Sequence, residues 1–201
     1  MEKKETKSFA IIGLGNPGKI YQNTRHNTGQ SALDIFVKNH SKNFTRSKKL
    51  QIAKITLKNI NIFCMKSEEF LNISGYGYFQ LIKQNQIINQ NIILLADDID
   101  LSLGSIIIQQ SKAHGGNNGI KSLFNHIKKD PIIKIRIGIG RPLVKGIPTY
   151  ESDEIAKWVL SEPKKKDKEL LRQSIIQASL AIDSILINGL EITMNKFNHK
   201  I

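Results

Sequence analysis

The sequence predicts an α/β fold: one domain of 201 residues, built on a twisted, mixed and mostly parallel sheet with helices on both faces. Hydrophobic residues make up 40% of the chain, which is enough for a sizeable core at this length. Short apolar runs alternate with segments of helical periodicity, which is typical of parallel strands joined by helices. Two neighbouring runs instead suggest a hairpin, so the sheet should contain some antiparallel pairing.

The first half of the chain contains three predicted strands and two predicted helices. FAIIGL is a short apolar run that ends near Gly13 and predicts a buried strand. GQSALDIFVKNH has apolar residues at helical spacing and predicts a helix. QIAKITL and NIFCM flank the turn residues 58–59 and predict the hairpin. Residues 74–84 predict a second helix, although two glycines weaken its start.

The second half predicts three more strands, in NIILLAD, SIIIQQ and IIKIRIGIG. A helix is expected over residues 119–129, between the last two of them. Residues 140–152 are rich in Gly, Pro and polar residues and predict a mobile surface loop. DEIAKWVL predicts a short helix, and a longer amphipathic helix should begin near Pro163 and end at Gly189. The domain should span residues 1–201, with residues 1–7 flexible.

Charge and cysteine content limit the environment and the partners. Thirty Lys and Arg residues against 17 Asp and Glu residues give a formal net charge of +13, which is consistent with an anionic partner. The general richness in Lys, Asn and Ile would produce the same excess, so charge alone does not decide. One cysteine, Cys64, cannot form an internal disulfide and fits a reducing compartment. The N-terminus is charged and no run approaches the ~20 apolar residues of a membrane span, so a cytoplasmic protein is expected.

The stretch AIIGLGNPGKIYQNTRHNTG, residues 10–29, matches two nucleotide-binding patterns incompletely. Its glycines satisfy G-x-G-x-x-G, but no helix begins at the third glycine and no acidic residue follows about 20 residues later. The P-loop pattern fails because Ile20 occupies the position of the hydroxyl that binds Mg²⁺. The glycines therefore predict a tight, non-helical loop above a strand end, with a helix beginning near Thr28.

Polar side chains gather at several turns that should meet at the carboxyl edge of the sheet, where open α/β sheets place ligands. Any one of these residues could be an ordinary turn or cap residue, but their convergence favours a functional site. They are Asn16, Tyr21, Arg25, His26 and Asn27 in the first loop, Asn72 in the next, Asp97, Asp98 and Asp100 after a strand, and His114 to Asn118 before a helix.

Several catalytic motifs are absent from the sequence, and their absence limits the reactions that the polar residues at the sheet edge could catalyse. There is no G-x-S-x-G nucleophile motif, and neither H-E-x-x-H nor C-x-x-C is present, so a serine hydrolase and a zinc site are not expected. Cys64 lies in an apolar strand and should be an inert thiol. A histidine with an aspartate but no side-chain nucleophile suits activation of water, and carboxamides suit a peptide backbone or an oxyanion.

These residues resemble the bacterial-type peptidyl-tRNA hydrolases. GLGNPG with Tyr21 and TRHNTG is similar to the family pattern G-L-x-N-P-G, Tyr, T-R-H-N-x-G. FLNISG, DDIDLSLG, HGGNNGIKSL and IRIGIGRP are similar, in order, to F-M-N-x-S-G, H-D-E-L-D-L-x-x-G, G-G-H-N-G-L-K-S/D-I and R-I-G-I-G-x-P. The resemblance runs from about Phe9 to Pro142, and it implies a phosphorylase/hydrolase-like fold.

The resemblance implies hydrolysis of the ester that joins a peptide to tRNA, by a cytoplasmic monomer without metal, cofactor, membrane or obligate protein partner. It also implies roles for individual residues. They are His26 as general base, Asp98 as its orienting carboxylate, Asn16 near the attacked carbonyl, Tyr21, Leu71, Asn72 and Asn118 as substrate contacts, and Arg136 with Lys112 at a tRNA phosphate. By spacing, the family's second basic residue falls at Gln109, and Lys112 lies near enough to substitute.

The sequence departs from the family pattern at several positions and leaves other functions open. Asn117 stands where the family has His, Ser67-Glu68-Glu69 where it has Pro-x-Thr, and Asp97 is assigned to the His before the catalytic Asp. An acidic residue near His26 would raise the pKa of its imidazole. One alternative function is that of a non-catalytic RNA-binding relative, of the kind found among plant organelle splicing factors. A second alternative, a nucleotide-dependent oxidoreductase, is supported by the glycine pattern alone.

Overall fold

The computed structural model describes residues 7–127 and 130–198, which form nine strands and six α-helices. The strands are β1 (Lys7–Gly13), β2 (Thr45–Ser47), β3 (Leu50–Leu57), β4 (Ile60–Ser67), β5 (Ile92–Asp98), β6 (Ile106–Ser111), β7 (Ile132–Gly138), β8 (Leu143–Val144) and β9 (Ile147–Pro148). The helices are α1 (Thr28–Asn39), α2 (Gly75–Gln84), α3 (Asn118–Phe124), α4 (Ser152–Val159), α5 (Lys165–Asn188) and α6 (Leu190–Phe197).

Seven strands form one sheet in the order β2-β3-β4-β1-β5-β7-β6. The four central strands, β4, β1, β5 and β7, run parallel to one another. The outer pairs β2–β3, β3–β4 and β6–β7 are antiparallel. The predicted α/β fold with a mixed sheet is therefore confirmed, and the carboxyl ends of β4, β1, β5 and β7 meet at one edge.

Helices cover both faces of the sheet because alternate strand residues point to opposite sides. On β5, Ile93 and Leu95 pack in the apolar cluster that contains α1 and α5, whereas Ile92 and Leu94 pack with α2 and α3. α5 meets the length and composition of a membrane span, but half of its most apolar stretch is buried within the protein. Its packing against α1 and β7 is that of a core helix.

The loop after β1 contains no α-helix before Thr28, where the predicted helix begins. It was predicted to be non-helical, but it contains two short 3₁₀ turns, Lys19–Tyr21 and Arg25–Asn27, and the second leads directly into α1. At Gly29 an added Cβ would lie 2.3 Å from the carbonyl oxygen of Leu95, so only glycine allows the start of α1 to sit this close to β5. This close approach places the second turn directly above the carboxyl end of β5.

The structure differs from the predicted elements in a few places. α3 ends at Phe124, earlier than predicted, and residues 128–129 of that prediction lie outside the described residues, as do residues 1–6. The predicted surface loop over residues 140–152 contains the small hairpin β8–β9. The short edge strand β2 and the helix α6 were not predicted. α6 follows at once because Gly189 adopts a φ of +86° and lets the chain turn sharply after α5.

Candidate active site

A cleft of about 1040 Å³ lies at the carboxyl edge of the parallel strands. Its walls come from the loop after β1, the 3₁₀ turn Leu71–Ile73 after β4, the end of β5, the segment before α3, and one side of α4. Polar side chains from β6 and β7 extend the cleft along the face that carries α2 and α3. The predicted gathering of polar turns at one rim is thus present in the structure.

His26 opens onto this cleft and is held from behind by a carboxylate. Its Nδ1 lies 2.8 Å from Oδ1 of Asp97, at the end of β5. The side chain of Asp97 is 4% exposed and that of His26 is 17% exposed. Because Nδ1 donates to the carboxylate, the neutral imidazole carries its lone pair on Nε2. This arrangement leaves a basic nitrogen available to a molecule in the cleft.

The pKa of His26 is raised from its ordinary value of 6.5. Burial by itself lowers the pKa, but the charge of Asp97 and its hydrogen bond to the ring favour the imidazolium and outweigh burial. The pairing therefore makes His26 a stronger base than a free histidine.

The prediction that Asp98 orients His26 is wrong, because Asp97 makes that contact. Asp98 instead accepts a hydrogen bond from Arg136, with Nε 2.7 Å from Oδ2. The cause is the alternation of side chains along β5. Asp97 continues the series of Ile93 and Leu95 toward α1, whereas Asp98 points to the opposite face.

The family pattern that the sequence resembles agrees with the contact between His26 and Asp97 when it is aligned without a gap to residues 96–104. Asp97 then falls on the first Asp of H-D-E-L-D-L-x-x-G, Asp98 falls on its Glu, and Ala96 replaces its His. The error was a shift of one residue. Aligning the pattern on Asp100 and Gly104 and counting back along the sequence would have identified Asp97 as the partner of His26.

Asn16 is fixed by three hydrogen bonds at the end of β1. Its backbone N–H donates to Oδ1 of Asn27 at 2.9 Å, and its carbonyl accepts from Nδ2 of Asn27 at 2.9 Å. Its side-chain Oδ1 accepts from the backbone N–H of Leu71 at 3.2 Å. These contacts use the oxygen of the Asn16 carboxamide and leave its Nδ2 donor for a ligand in the cleft.

The other predicted substrate contacts are arranged around Asn16. Asn72 and Asn118 are exposed and line the cleft, on a 3₁₀ turn and a helix that pack against each other. Leu71 is 3% exposed, so it supports the 3₁₀ turn through packing and its backbone donor. Tyr21 lies at the margin of the cleft, with its ring edge-on to Phe70 at 6.1 Å between centroids. Phe70 lines the cleft and was not predicted.

Arg136, which was predicted to contact a tRNA phosphate, lines the cleft, but the structure does not bring Lys112 to it. Lys112 follows β6, which runs antiparallel to β7, so it lies beyond Ser111 and Ile132, at the opposite end of β7 from Arg136. The strands rise about 3.3 Å per residue, and four residues separate Ile132 from Arg136. Lys112 is also exposed and outside the cleft lining.

Lys134 is the basic residue that sequence reasoning missed. It stands two residues before Arg136 on β7, so both side chains share one face, and it pairs in register with Gln109. Lys134 is 3% exposed, lines the cleft, and donates to the carbonyl oxygen of Ala113. Burial and the neighbouring Arg136 lower the pKa of Lys134 to about 8. The spacing of the two basic residues on a strand was the signal available in the sequence.

The departures from the family pattern leave the His26 pair intact. Asn117 caps α3, where its Oδ1 accepts from the backbone N–H groups of Gly119 and Ile120, and its Nδ2 lies 3.4 Å from Oδ1 of Asp97. Glu69 faces away from the site and pairs with Lys49 at 2.6 Å. Cys64 is buried in β4, and burial raises the pKa of its thiol, as expected of an inert cysteine.

Comparison with known proteins places the chain in one family. The family model described as peptidyl-tRNA hydrolase matches residues 10–201. A peptidyl-tRNA hydrolase of Alkaliphilus metalliredigens is 33% identical over 193 residues, covering 94% of this chain and 99% of the relative. One of Sulfurihydrogenibium sp. is 34% identical over 192 residues, covering 96% and 98%.

A solved structure shares the fold. Peptidyl-tRNA hydrolase from Acinetobacter baumannii superimposes with a TM-score of 0.87 at 23% identity, covering 96% of this chain and 95% of that one. The motifs, the sheet topology and the full-length matches agree. The chain therefore belongs to the peptidyl-tRNA hydrolase family of enzymes, which are hydrolases acting on ester bonds.

Proposed function

We propose that the enzyme hydrolyses the ester between the peptide and the 3′ ribose of tRNA in peptidyl-tRNA, which releases tRNA for reuse in translation. The relatives named above support this substrate. The observation that carries the proposal is the His26–Asp97 pair, which opens onto a cleft lined by carboxamides. The serine among the described lining residues, Ser152, is the first residue of α4 and makes no hydrogen bond with His26 in the described structure.

His26 acts as the general base. Its Nε2 takes a proton from a water molecule as the water oxygen attacks the ester carbonyl carbon. Asp97 stabilises the resulting imidazolium through Nδ1. The tetrahedral intermediate then expels the ribose oxygen, which receives the proton back from Nε2. The products are tRNA with a free hydroxyl and a peptide carboxylic acid, which loses its proton to solvent, and His26 returns to its neutral form.

The carboxamides position the acyl group and the water. Asn16 donates through Nδ2 to the carbonyl oxygen, where negative charge develops. Asn72 and Asn118, which both line the cleft, hold the peptide backbone and the attacking water. Tyr21 contacts substrate at the margin, and Leu71 keeps the carboxamide of Asn16 oriented.

Arg136 binds a phosphate of the tRNA, and Lys134 supplies the second positive charge in place of Lys112. Both side chains face the cleft from β7. Lys134 is desolvated, so a phosphate beside it would compensate its buried charge. Asp98 fixes the guanidinium of Arg136 through Nε and leaves the terminal nitrogens for the phosphate.

The enzyme acts in the cytoplasm as a monomer, with no obligate protein partner and no metal or cofactor, and residues 140–152 move as substrate enters. The direct test incubates the purified chain with peptidyl-tRNA that carries a blocked amino terminus, in the presence of EDTA. Release of free tRNA is the expected result. Peptidyl-tRNA that stays intact, in a preparation with an ordinary circular dichroism spectrum, would contradict the proposal.

A further inference from the structure

Arg25 is a buried arginine immediately before His26. It lies in the 3₁₀ turn Arg25–Asn27 and is 1% exposed. A guanidinium is seldom buried unless its surroundings satisfy it, because desolvating the charge is costly. Its contacts therefore indicate what this side chain is for.

The guanidinium of Arg25 contacts the segment that follows α4. Its Nη1 donates to Oγ of Ser161 at 2.7 Å, to the carbonyl oxygen of Ser161 at 3.2 Å, and to that of Glu162 at 2.9 Å. The backbone N–H of Arg25 also donates to the Ser161 carbonyl at 3.1 Å. Four hydrogen bonds thus join the turn that carries His26 to the end of α4.

The face of the same guanidinium stacks on α4 itself. Its Cζ lies 3.6 Å from the ring centroid of Trp158, a close cation–π contact. Trp158 in turn donates through Nε1 to the carbonyl oxygen of Gly140 at 2.8 Å. Together these contacts form a clamp made of Arg25, Trp158 and Ser161.

α4 is held mainly by this clamp and by the partial packing of Trp158 and Val159 against the core. None of its residues is fully buried, and only Trp158 and Val159, at its C-terminal end, pack against the core. Yet Ser152, Ile155, Ala156 and Val159 of α4, with Leu160 after it, line the cleft. A wall of the site is therefore a surface helix anchored beside the base.

We infer that Arg25 is a positioning residue that holds α4 against the turn bearing His26 and so sets the width of the cleft. The inference rests on the proposed function in one respect, because its kinetic test measures KM for the hydrolysis of peptidyl-tRNA. Loss of the clamp displaces the wall formed by α4. The contact between His26 and Asp97 remains, because it involves neither Trp158 nor Ser161.

The test compares Trp158→Leu and Arg25→Met with the parent enzyme on peptidyl-tRNA. We expect KM to rise about three- to thirtyfold in each, the range for a partly desolvated cation–π contact, with kcat nearly unchanged. Hydrogen exchange of the α4 amides should accelerate in both variants, and the NMR titration of the His26 ring should stay as in the parent. Arg25→Lys should restore part of the loss in KM, since it keeps the charge.

Lys157→Ala is the matched control, because it changes an exposed α4 residue outside the clamp and should leave KM and exchange as they are. A lower melting temperature with unchanged KM and unchanged α4 exchange would overturn the inference in favour of a purely structural role. Should Arg25→Met fail to fold, Trp158→Leu decides, since Trp158 is only half-buried. Should the parent show no hydrolysis, the proposed function fails, but α4 exchange in the free protein still tests the clamp.

Discussion

Replacement of Asp97 by Asn tests the pairing on which the proposed chemistry depends. The substitution keeps the size of the side chain and removes its charge. The Asn amide can also turn its N–H₂ group toward Nδ1 of His26. That contact favours the tautomer with its proton on Nε2, which has no lone pair on the side of the cleft.

The size of the effect follows from the geometry. The bond between His26 and Asp97 is 2.8 Å long and the carboxylate is 4% exposed, so the pair is shielded from water. A charge-assisted hydrogen bond contributes about 1.5–3 kcal/mol, which is roughly a factor of 10–100 in the stability of the imidazolium. The wrong tautomer adds to this loss. We expect kcat to fall by roughly 10²–10⁴, the range for a compromised general base.

The assay follows the release of tRNA from peptidyl-tRNA across a pH series. In the parent, kcat/KM should rise with pH to a plateau, with an inflection above 6.5, because Asp97 raises the pKa of His26. In Asp97→Asn the residual activity should reach its plateau at a lower pH, since burial then acts on the imidazole without the opposing charge.

Asp98→Asn is the matched control, one residue along the same strand. It should leave the inflection in place, because Asp98 contacts Arg136 and not His26. The reasoning is refuted if Asp97→Asn retains nearly full kcat with an unchanged inflection, or if Asp98→Asn moves the inflection instead.

Further predictions concern the base, the phosphate site, the fold and pH. His26→Ala should lower kcat by roughly 10²–10⁴ while tRNA binding, measured by filter retention, persists. Arg136→Ala should weaken binding and reduce its salt slope by about 0.7–0.9 per lost phosphate contact, whereas Lys112→Ala should leave the slope unchanged. Gly29→Ala should lower the free energy of unfolding, measured in urea, by about 1–3 kcal/mol, since the new Cβ would lie 2.3 Å from a backbone carbonyl oxygen. Gly77→Ala is the control and should not destabilise the fold, because its Cβ would face the side chain of Leu50, which can move. The raised pKa of His26 contributes stability that is complete below pH 6.5 and lost as pH rises through the folded pKa, so urea midpoints should fall across that interval.

The fold and the rim of the site follow from local patterns in the sequence. Apolar runs such as FAIIGL mark strands, and the polar turns after them meet because parallel strands share a carboxyl edge. The orientation of neighbouring residues required the three-dimensional fold, since which face of β5 meets α1 decides between Asp97 and Asp98. The spacing of Lys134 and Arg136 places both on one face of a strand, but the fold was needed to show that Lys134 lies opposite Gln109 and lines the cleft. The contact between Arg25 and Ser161 spans 136 residues, and no local pattern predicts it.

Because Asp97 and Asp98 are adjacent in β5, one strand end positions both the side chain of His26 and that of Arg136. One peptide unit, about 3.8 Å between Cα atoms, separates the carboxylate that contacts His26 from the one that contacts Arg136. On the proposed function, the two neighbouring carboxylates hold the general base and the phosphate-binding guanidinium in a fixed relation to one strand end. An ester without a correctly spaced phosphate would reach His26 but would not bind Arg136. Such esters should therefore be poor substrates, and the enzyme would discriminate against other acyl esters in the cell.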